Sequence, residues 1–171
     1  MDISQAPILS FASPPTTIKQ MDPLHRLEIM HALEISDAAI VSTAELCNGP
    51  TWQFFELASV ADVLAMDSSK VRWPEYKAIG LFAAHAVGGE CDFEVRMLAP
   101  SSGMSEDPIT GSLNAAIAKW MQFNERLQKP YLVAQGTNIG RLGRVAVKAT
   151  TDGVAWIGGQ VHIVIEGNII I

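Results

Sequence analysis

The sequence predicts an α+β fold in which a curled, mixed β-sheet surrounds one central, largely apolar helix. Much of the chain is rich in β-branched and aromatic residues and is divided by glycine-containing turns, which is typical of strands. The segment Leu113 to Met121 contains only two polar residues, Asn114 and Lys119, and a helix this apolar is normally enclosed. Since an enclosed helix needs apolar surface around it, we expect the sheet to curl about it as a half-barrel.

Two further helices are predicted outside the sheet. Asp22 and Pro23 form a start signal, because an aspartate cap followed by a proline leaves few amides unsatisfied. The apolar face expected for this helix consists of Leu24, Leu27, Met30, His31 and Leu33. A short helix is expected near Val60–Met66.

The strands are expected to start with an extended segment near Ile8 to Phe11, followed by a proline-containing loop. The other expected strands are Ala38–Ser42, Thr51–Leu57, Ala78–Val87, Phe93–Leu98, Tyr131–Gln135, Gly143–Ala149, Val154–Ile157 and Val161–Ile165.

Composition excludes several classes of protein. The chain has 171 residues, 49% of them hydrophobic, which predicts one core and a single domain over residues 1–171. Its net charge of −6 and its scattered basic residues argue against binding to nucleic acid or to an anionic membrane. The longest apolar stretches are about half of what a membrane span needs. Without a recognisable signal peptide, a cytoplasmic location is expected.

The cysteines and histidines lack the spacing of a metal site. Cys47 and Cys91 lie far apart, and none of the four histidines has a second ligand at short spacing. We therefore predict no bound metal, and ordinary structural roles for both thiols.

The segment from Arg96 to Ser112 contains the residues best suited to bind a ligand. It runs from a strand end through a polar loop into the start of the apolar helix, where free backbone amides favour an anion. Gly111 allows a ligand carboxylate to approach the backbone, and the hydroxyls of Thr110 and Ser112 add donors. The sequence thus predicts a carboxylate-binding site here.

Two acidic residues, Glu106 and Asp107, precede this helix start. A side-chain carboxylate beside a bound acid is placed to exchange a proton with it, so proton transfer is the predicted chemistry. The competing interpretation is capping, because serine, aspartate and proline are common at any junction between a loop and a helix.

A longer pattern favours chemistry over capping. Phe93, Arg96 and Ala99-Pro100 are followed by the run Glu106-Asp107-Pro108-Ile109-Thr110-Gly111-Ser112 and then by Asn114. This pattern resembles the signature of the PhzF-like phenazine-biosynthesis family. The further segments that match in order are Gly49-Pro50, Trp52, Glu56-Leu57, Gln135-Gly136, Gly140-Arg141, Arg144-Val145 and Ile157-Gly158-Gly159.

The resemblance implies a fold like that of diaminopimelate epimerase, with two similar halves and an active site in the cleft between them. It implies an isomerase or epimerase that moves protons on a small carboxylate without a metal or other cofactor. By position, Asp107 matches the acid/base residue of the second half, or the carboxylate that supports it. Gly111 and Ser112 match the donors that hold the substrate carboxylate, and Glu106 belongs to the same motif.

The resemblance begins where the second half of the family begins, so this chain is expected to be the C-terminal half, without the half that carries the principal catalytic glutamate. Two interpretations follow. The chain is an isomerase completed by a partner chain or by homodimerisation, or it is a non-catalytic subunit that binds a small carboxylate or a partner. Arg141 and Arg144 either reach a carboxylate or serve as soluble residues of a glycine-rich hairpin.

Overall fold

A computed structural model describes residues 8–70, 78–99 and 104–168 of the chain. In order along the chain, its helices and strands are β1 (Ile8–Ala12), β2 (Thr17–Lys19), α1 (Pro23–Leu33), β3 (Ile40–Cys47), β4 (Thr51–Leu57), α2 (Val60–Ala65), β5 (Ala78–Ala84), β6 (Phe93–Ala99), β7 (Met104–Asp107), α3 (Gly111–Phe123), β8 (Tyr131–Gln135), β9 (Gly143–Ala149) and β10 (Ala155–Gln160).

The strands form one mixed sheet in the order β1-β10-β9-β8-β6-β5-β4-β3-β2, with β7 added beside β6. The pairs β4/β5 and β6/β8 are parallel and the others are antiparallel. β1 and β2 follow each other in the chain but lie at opposite ends of the sheet, so the loop between them crosses its opening. The predicted curled sheet around a central helix is confirmed.

The pairing around β6 places the site. Phe93–Val95 of β6 pair with β8, while Met97–Ala99 pair with β7. Because β5 occupies the other edge of β6, both β7 and β8 use the same edge. The last residue of β8, Gln135, therefore lies next to the last residue of β7, Asp107.

The two faces of the sheet bury different helices. The concave face encloses α3, where Trp120 contacts the rings of Phe54 and Phe82 at centroid distances of 4.8 and 6.3 Å. The convex face is partly covered by α1 and α2, which contribute Ile29 and Val63 to a second apolar cluster. Side chains alternate between the faces along each strand, which produces the two cores from single strands.

α1 begins as predicted but buries a different face. Asp22 accepts hydrogen bonds from the amides of Leu24 and His25, which confirms the expected cap. Leu24 and Leu27, however, are exposed, and the helix packs through Ile29 and Leu33. Ile29 and Leu33 are one helical turn apart, and the two exposed leucines project from roughly the opposite side.

The strand expected at Val161–Ile165 is not formed. The described pairing of β10 ends at Gln160, opposite Ile8. Val161, Ile163, Val164 and Ile165 have high strand propensity, but a strand also needs a backbone partner, and these side chains remain exposed. Conversely, β2 and β7 are short strands within segments that the sequence presents as loops, and Pro100 of the motif lies outside the described residues.

We predict that Gly80→Ala destabilises the protein because α3 lies directly against β5. A Cβ added at Gly80 would lie 2.6 Å from Cδ1 of the buried Leu113. Overpacking of this kind typically costs about 1–3 kcal/mol in the free energy of unfolding. Urea denaturation measures the loss, with Gly89→Ala as the matched control, since an added Cβ there meets only ordinary contacts. Equal stability of the two variants would contradict the close approach.

Candidate active site

The start of α3 brings together four of the residues that the sequence predicts. Asp107 ends β7, Thr110 is the N-cap residue of α3, and Gly111 and Ser112 are its first two residues. Thr110 does not cap the helix with its side chain. The amides of the first turn thus receive no hydrogen bond from their cap and can bind an anion.

The Thr110 hydroxyl is instead part of a buried hydrogen-bond network. It donates to Oδ2 of Asp107 at 2.6 Å and accepts from Nε2 of Gln135 at 3.0 Å. Because its single proton goes to Asp107, it has none left for a ligand carboxylate. The geometry therefore gives Thr110 a contact with Asp107 in place of the predicted contact with substrate.

Gln135 uses both ends of its side-chain amide in this network. Its Oε1 accepts from the backbone amide of Thr110 at 3.2 Å and from Nδ2 of Asn114 at 2.9 Å. Its Nε2 donates to the Asp107 carbonyl at 3.0 Å as well as to Thr110. Gln135 is fully buried. The sequence alone gives Gln135 and Asn114 no role in the site, although a glutamine at the end of an apolar strand is a usable signal.

Two glycines allow the Asp107-Pro108 turn to lie close to the β8–β9 connection. A Cβ at Gly136 would lie 3.0 Å from the Pro108 carbonyl oxygen, and one at Gly143 would lie 2.8 Å from the same atom. Gly136 also has a φ of +85°, which favours glycine. The pair is therefore needed to hold the end of β7 against Gln135.

Ser112 is held through its backbone carbonyl by Asn48. Nδ2 of Asn48 donates to the Ser112 carbonyl at 2.7 Å, and Oδ1 of Asn48 accepts from the Trp52 indole at 3.2 Å. These contacts give a structural role to the Gly49-Pro50 and Trp52 segment of the family pattern. They fix the first turn of α3 relative to β3 and β4.

Glu106 lies on the opposite face of β7 from Asp107, as expected for neighbouring residues of a strand. Its carboxylate accepts from Nε and Nη2 of Arg96 at 3.1 and 2.7 Å, and the two side chains are only 1% and 2% exposed. Arg96 also donates to the carbonyls of Val63 and Met66 at the end of α2. The geometry thus gives Glu106 an ion pair that ties β6, β7 and α2 together.

A cavity of about 630 Å³ opens beside Gly111. Much of its wall is apolar and includes Leu9, Phe11, Ile109 and Leu142. The side chains of Asp107, Thr110 and Ser112 do not line it. A ligand in this cavity would therefore meet the first turn of α3 through Gly111, with its apolar part against the surrounding side chains.

The two arginines of the β8–β9 connection differ. Arg144 donates to both carboxylate oxygens of Glu90 at 3.1 and 3.2 Å, and this hydrogen-bonded pairing raises the pKa of Arg144 and lowers that of Glu90. Arg141 is exposed, and none of the described residues binds its guanidinium. Of the two, Arg141 is the one whose charge is available to a ligand.

The cysteines lie apart from this network. Burial raises the pKa of the Cys91 thiol, whereas a hydrogen bond with Thr51 lowers that of Cys47. Within the described part of the chain, no three histidine, cysteine or acidic side chains are grouped as metal ligands would be. In the same residues, no helix has the length and apolar character of a membrane span.

The model of the PhzC-PhzF family, described as phenazine biosynthesis-like proteins, matches residues 2–167. The chain belongs to the PhzC-PhzF family. The expectation that it corresponds to the C-terminal half is not borne out by this match. No curated protein is similar enough to count as a match.

Solved structures of PhzF relatives share the fold. A PhzF-family protein from Bacillus anthracis has a TM-score of 0.72 at 14% identity, over 92% of this chain and 58% of its own. One from Enterococcus faecalis has a TM-score of 0.60 at 21% identity, over 90% and 53%. A predicted epimerase from Pseudomonas aeruginosa has a TM-score of 0.63 at 16% identity, over 90% and 55%. This PhzC-PhzF chain therefore spans little more than half the length of these structures.

We predict that Arg96→Met strongly destabilises the protein, because it leaves the Glu106 carboxylate buried without a partner. Removing one member of a buried pair costs about 3–5 kcal/mol in the free energy of unfolding. Arg144→Met is the control, since its partner Glu90 is largely exposed and the loss should stay below about 1 kcal/mol. Chemical denaturation measures both. If Arg96→Met cost no more than the control, Glu106 would not depend on this pair.

Proposed function

We propose that this chain forms one wall of the active site of an isomerase or epimerase that transfers protons on a small carboxylate. The observation that carries the proposal is the position of Asp107, whose Oδ2 accepts from Thr110 at 2.6 Å immediately before the uncapped first turn of α3. Membership of the PhzC-PhzF family supports the same class of reaction. A similar structure bears the name of a predicted epimerase.

In this proposal the substrate carboxylate binds at the first turn of α3. The amides of Gly111 and Ser112 are the donors, and the positive end of the helix dipole favours the negative charge. Ser112 presents its backbone in a fixed position because Asn48 holds its carbonyl.

Asp107 is the proposed acid/base group. Its carboxylate takes a proton from a carbon of the substrate, and the electron pair of the broken C–H bond delocalises towards the substrate carboxylate. Asp107 then delivers a proton to a different carbon, after exchange with solvent, which completes an isomerisation. No electrons are gained or lost, so the proposed step uses side chains alone. Glu106 takes no part in it, because its carboxylate is bound to Arg96 on the opposite face of β7.

Inversion of a stereocentre needs a second proton-transferring group on the other side of the substrate. We propose that this group comes from a second half or from a second copy of the chain. The relatives of known structure are nearly twice as long as the matched part, which leaves room for such a half in them.

The second candidate function is that of a non-catalytic subunit that binds a carboxylate or a partner chain. It is favoured by the apolar rim of the cavity, where Leu9, Phe11, Ile109 and Leu142 are 59%, 46%, 49% and 85% exposed. Apolar side chains grouped in this way commonly mark an interface. In either function, this rim is the surface that we expect to meet the partner.

Asp107→Asn tests the proposed catalysis. The probe is but-3-enoate in D2O, because proton transfer in this acid produces but-2-enoate and incorporates deuterium, both visible by NMR. We expect wild-type protein to catalyse the exchange and Asp107→Asn to slow it by at least about 100-fold, since an amide cannot accept the proton. Asp152→Asn, in a distant exposed turn, is the control. A rate within a few-fold of wild type in Asp107→Asn would rule out the assigned role.

Leu142→Glu tests the interface. We expect the wild-type chain to self-associate at high concentration through the apolar rim, because a dimer formed by one surface patch is the commonest assembly. A buried charge opposes that contact, so the variant should sediment as a monomer at concentrations where wild type does not. Val87→Glu, on an exposed loop away from the rim, is the control. A wild-type chain that stays monomeric throughout would contradict homodimerisation.

A further inference from the structure

We infer that Gln135 is a positioning residue that fixes the direction of the Thr110 hydroxyl. In consequence, Oδ2 of Asp107 remains a hydrogen-bond acceptor, and Oδ1 is the oxygen that receives and returns the exchanged proton. The inference rests on the function proposed above for Asp107. It follows from four hydrogen bonds whose directions can each be assigned.

The orientation of the Gln135 amide is fixed by two backbone groups. The Thr110 amide at 3.2 Å can only donate, so the atom that it meets must be Oε1. The Asp107 carbonyl at 3.0 Å can only accept, so the atom that it meets must be Nε2. In the flipped orientation, Nε2 would face the Thr110 amide, which is also a donor, and Oε1 would face the Asp107 carbonyl, which is also an acceptor. Asn114 agrees with this assignment, because its Nδ2 donates both to Oε1 of Gln135 and to the Thr110 carbonyl.

The direction of the Thr110 hydroxyl follows. Nε2 of Gln135 lies 3.0 Å from Oγ1 and can only donate to it. The hydroxyl must therefore turn its own proton away from Gln135. Oδ2 of Asp107, at 2.6 Å, is the acceptor in place to receive it.

Burial prevents an easy rearrangement of this chain of hydrogen bonds. Gln135, Thr110 and Asn114 are 0%, 7% and 1% exposed. Water cannot readily replace a lost partner at such positions, and a buried polar group without a partner costs about 1–3 kcal/mol. The arrangement therefore persists in both protonation states of Asp107.

The consequence for catalysis is a distinction between the two oxygens of Asp107. If Oδ2 took up a proton, that proton and the Thr110 hydroxyl proton would both lie between Oδ2 and Oγ1, which are only 2.6 Å apart. The two protons would repel each other. Oδ1 carries no such restriction. The proton from the substrate carbon therefore binds to Oδ1 and leaves from Oδ1, and Thr110 and Gln135 act through Asp107 without touching the substrate.

The first arm of the test needs no substrate. In the full chain labelled with ¹⁵N-glutamine, both Nε2 protons of Gln135 should exchange slowly with water, with the exposed amide of Gln128 as an internal reference. Thr110→Val removes the hydroxyl acceptor and should accelerate exchange of one proton by at least about tenfold, whereas Thr110→Ser keeps the acceptor and the protection. Equal protection in wild type and Thr110→Val would overturn the inference.

The second arm measures exchange of but-3-enoate in D2O. Gln135→Glu replaces a donor with an acceptor, so the Thr110 proton turns to the introduced carboxylate and away from Asp107. We expect kcat to fall by at least about tenfold while KM stays within about threefold, because the amides of Gly111 and Ser112 are unchanged. Thr110→Val should show the same split between kcat and KM, and Thr110→Ser should restore kcat. Gln128→Glu and Thr17→Val, both at exposed sites, are the matched controls.

The two arms separate the inference from the proposed function. If wild type exchanges but-3-enoate and Gln135→Glu and Thr110→Val keep the wild-type kcat, Gln135 and Thr110 do not position Asp107. A parallel loss in all variants, including Thr110→Ser, would indicate only disturbed packing and would also overturn the inference. If wild type exchanges no proton with but-3-enoate, the proposed function fails with this probe. The slow exchange of the Gln135 Nε2 protons with water then decides by itself whether the Thr110 hydroxyl is directed as inferred.

Discussion

The enclosure of α3 within the curled sheet is the constraint on which the rest of the structure depends. A helix packed on most of its circumference can bury small and apolar side chains along its length, as Ala115, Ala116 and Ile117 do. The sheet must then approach the helix closely, which is why Gly80 faces Leu113 with no room for a side chain. Since the side of the helix is covered by protein, its exposed polar groups are concentrated at its ends. The chemistry proposed for the chain therefore belongs to the end of the helix.

The pairing of β6 brings the residues of the candidate site together at the start of α3. Because β7 and β8 share one edge of β6, two chain segments that are separated by the whole of α3 end beside each other. β8 brings a buried amide and β7 brings a carboxylate. The glycines of the β8–β9 connection permit the contact, and the ion pair of Arg96 with Glu106 anchors the other face of β7. The motif is thus compact in sequence but is held by residues from β6, β8 and β9.

Much of the fold could be predicted because it depends on local patterns. The apolar composition of Leu113–Met121 predicted the central helix, and strand-forming runs such as Tyr131–Gln135 and Gly143–Ala149 predicted strands with the observed bounds. The errors occurred where tertiary contacts decide. α1 has apolar residues on several sides, so only packing selects Ile29 and Leu33, and the segment after Gln160 has strand propensity without a described partner.

The candidate site was predictable to the same degree. The Glu106-Asp107-Pro108 motif located the helix start, but neighbouring residues of a strand point to opposite faces, and the motif alone does not reveal that β7 is a strand. Glu106 was therefore grouped with Asp107 although it faces Arg96. Gln135 and Asn48 escaped assignment because their contacts with the motif cross 25 to 64 positions of the chain. Contacts of that range follow from topology, which a single sequence does not display.

The placement of β1 has a consequence for the order in which the molecule assembles. Ile8 pairs with Gln160, so a strand from near the beginning of the chain joins one from near its end. Contacts between such distant segments form slowly, because the loop between them must first be closed. Leu9 and Phe11 of β1 pair with Gly159 and Ile157 of β10, and all four residues line the cavity beside Gly111. On a ribosome, the cavity beside Gly111 therefore cannot form until β10 has emerged.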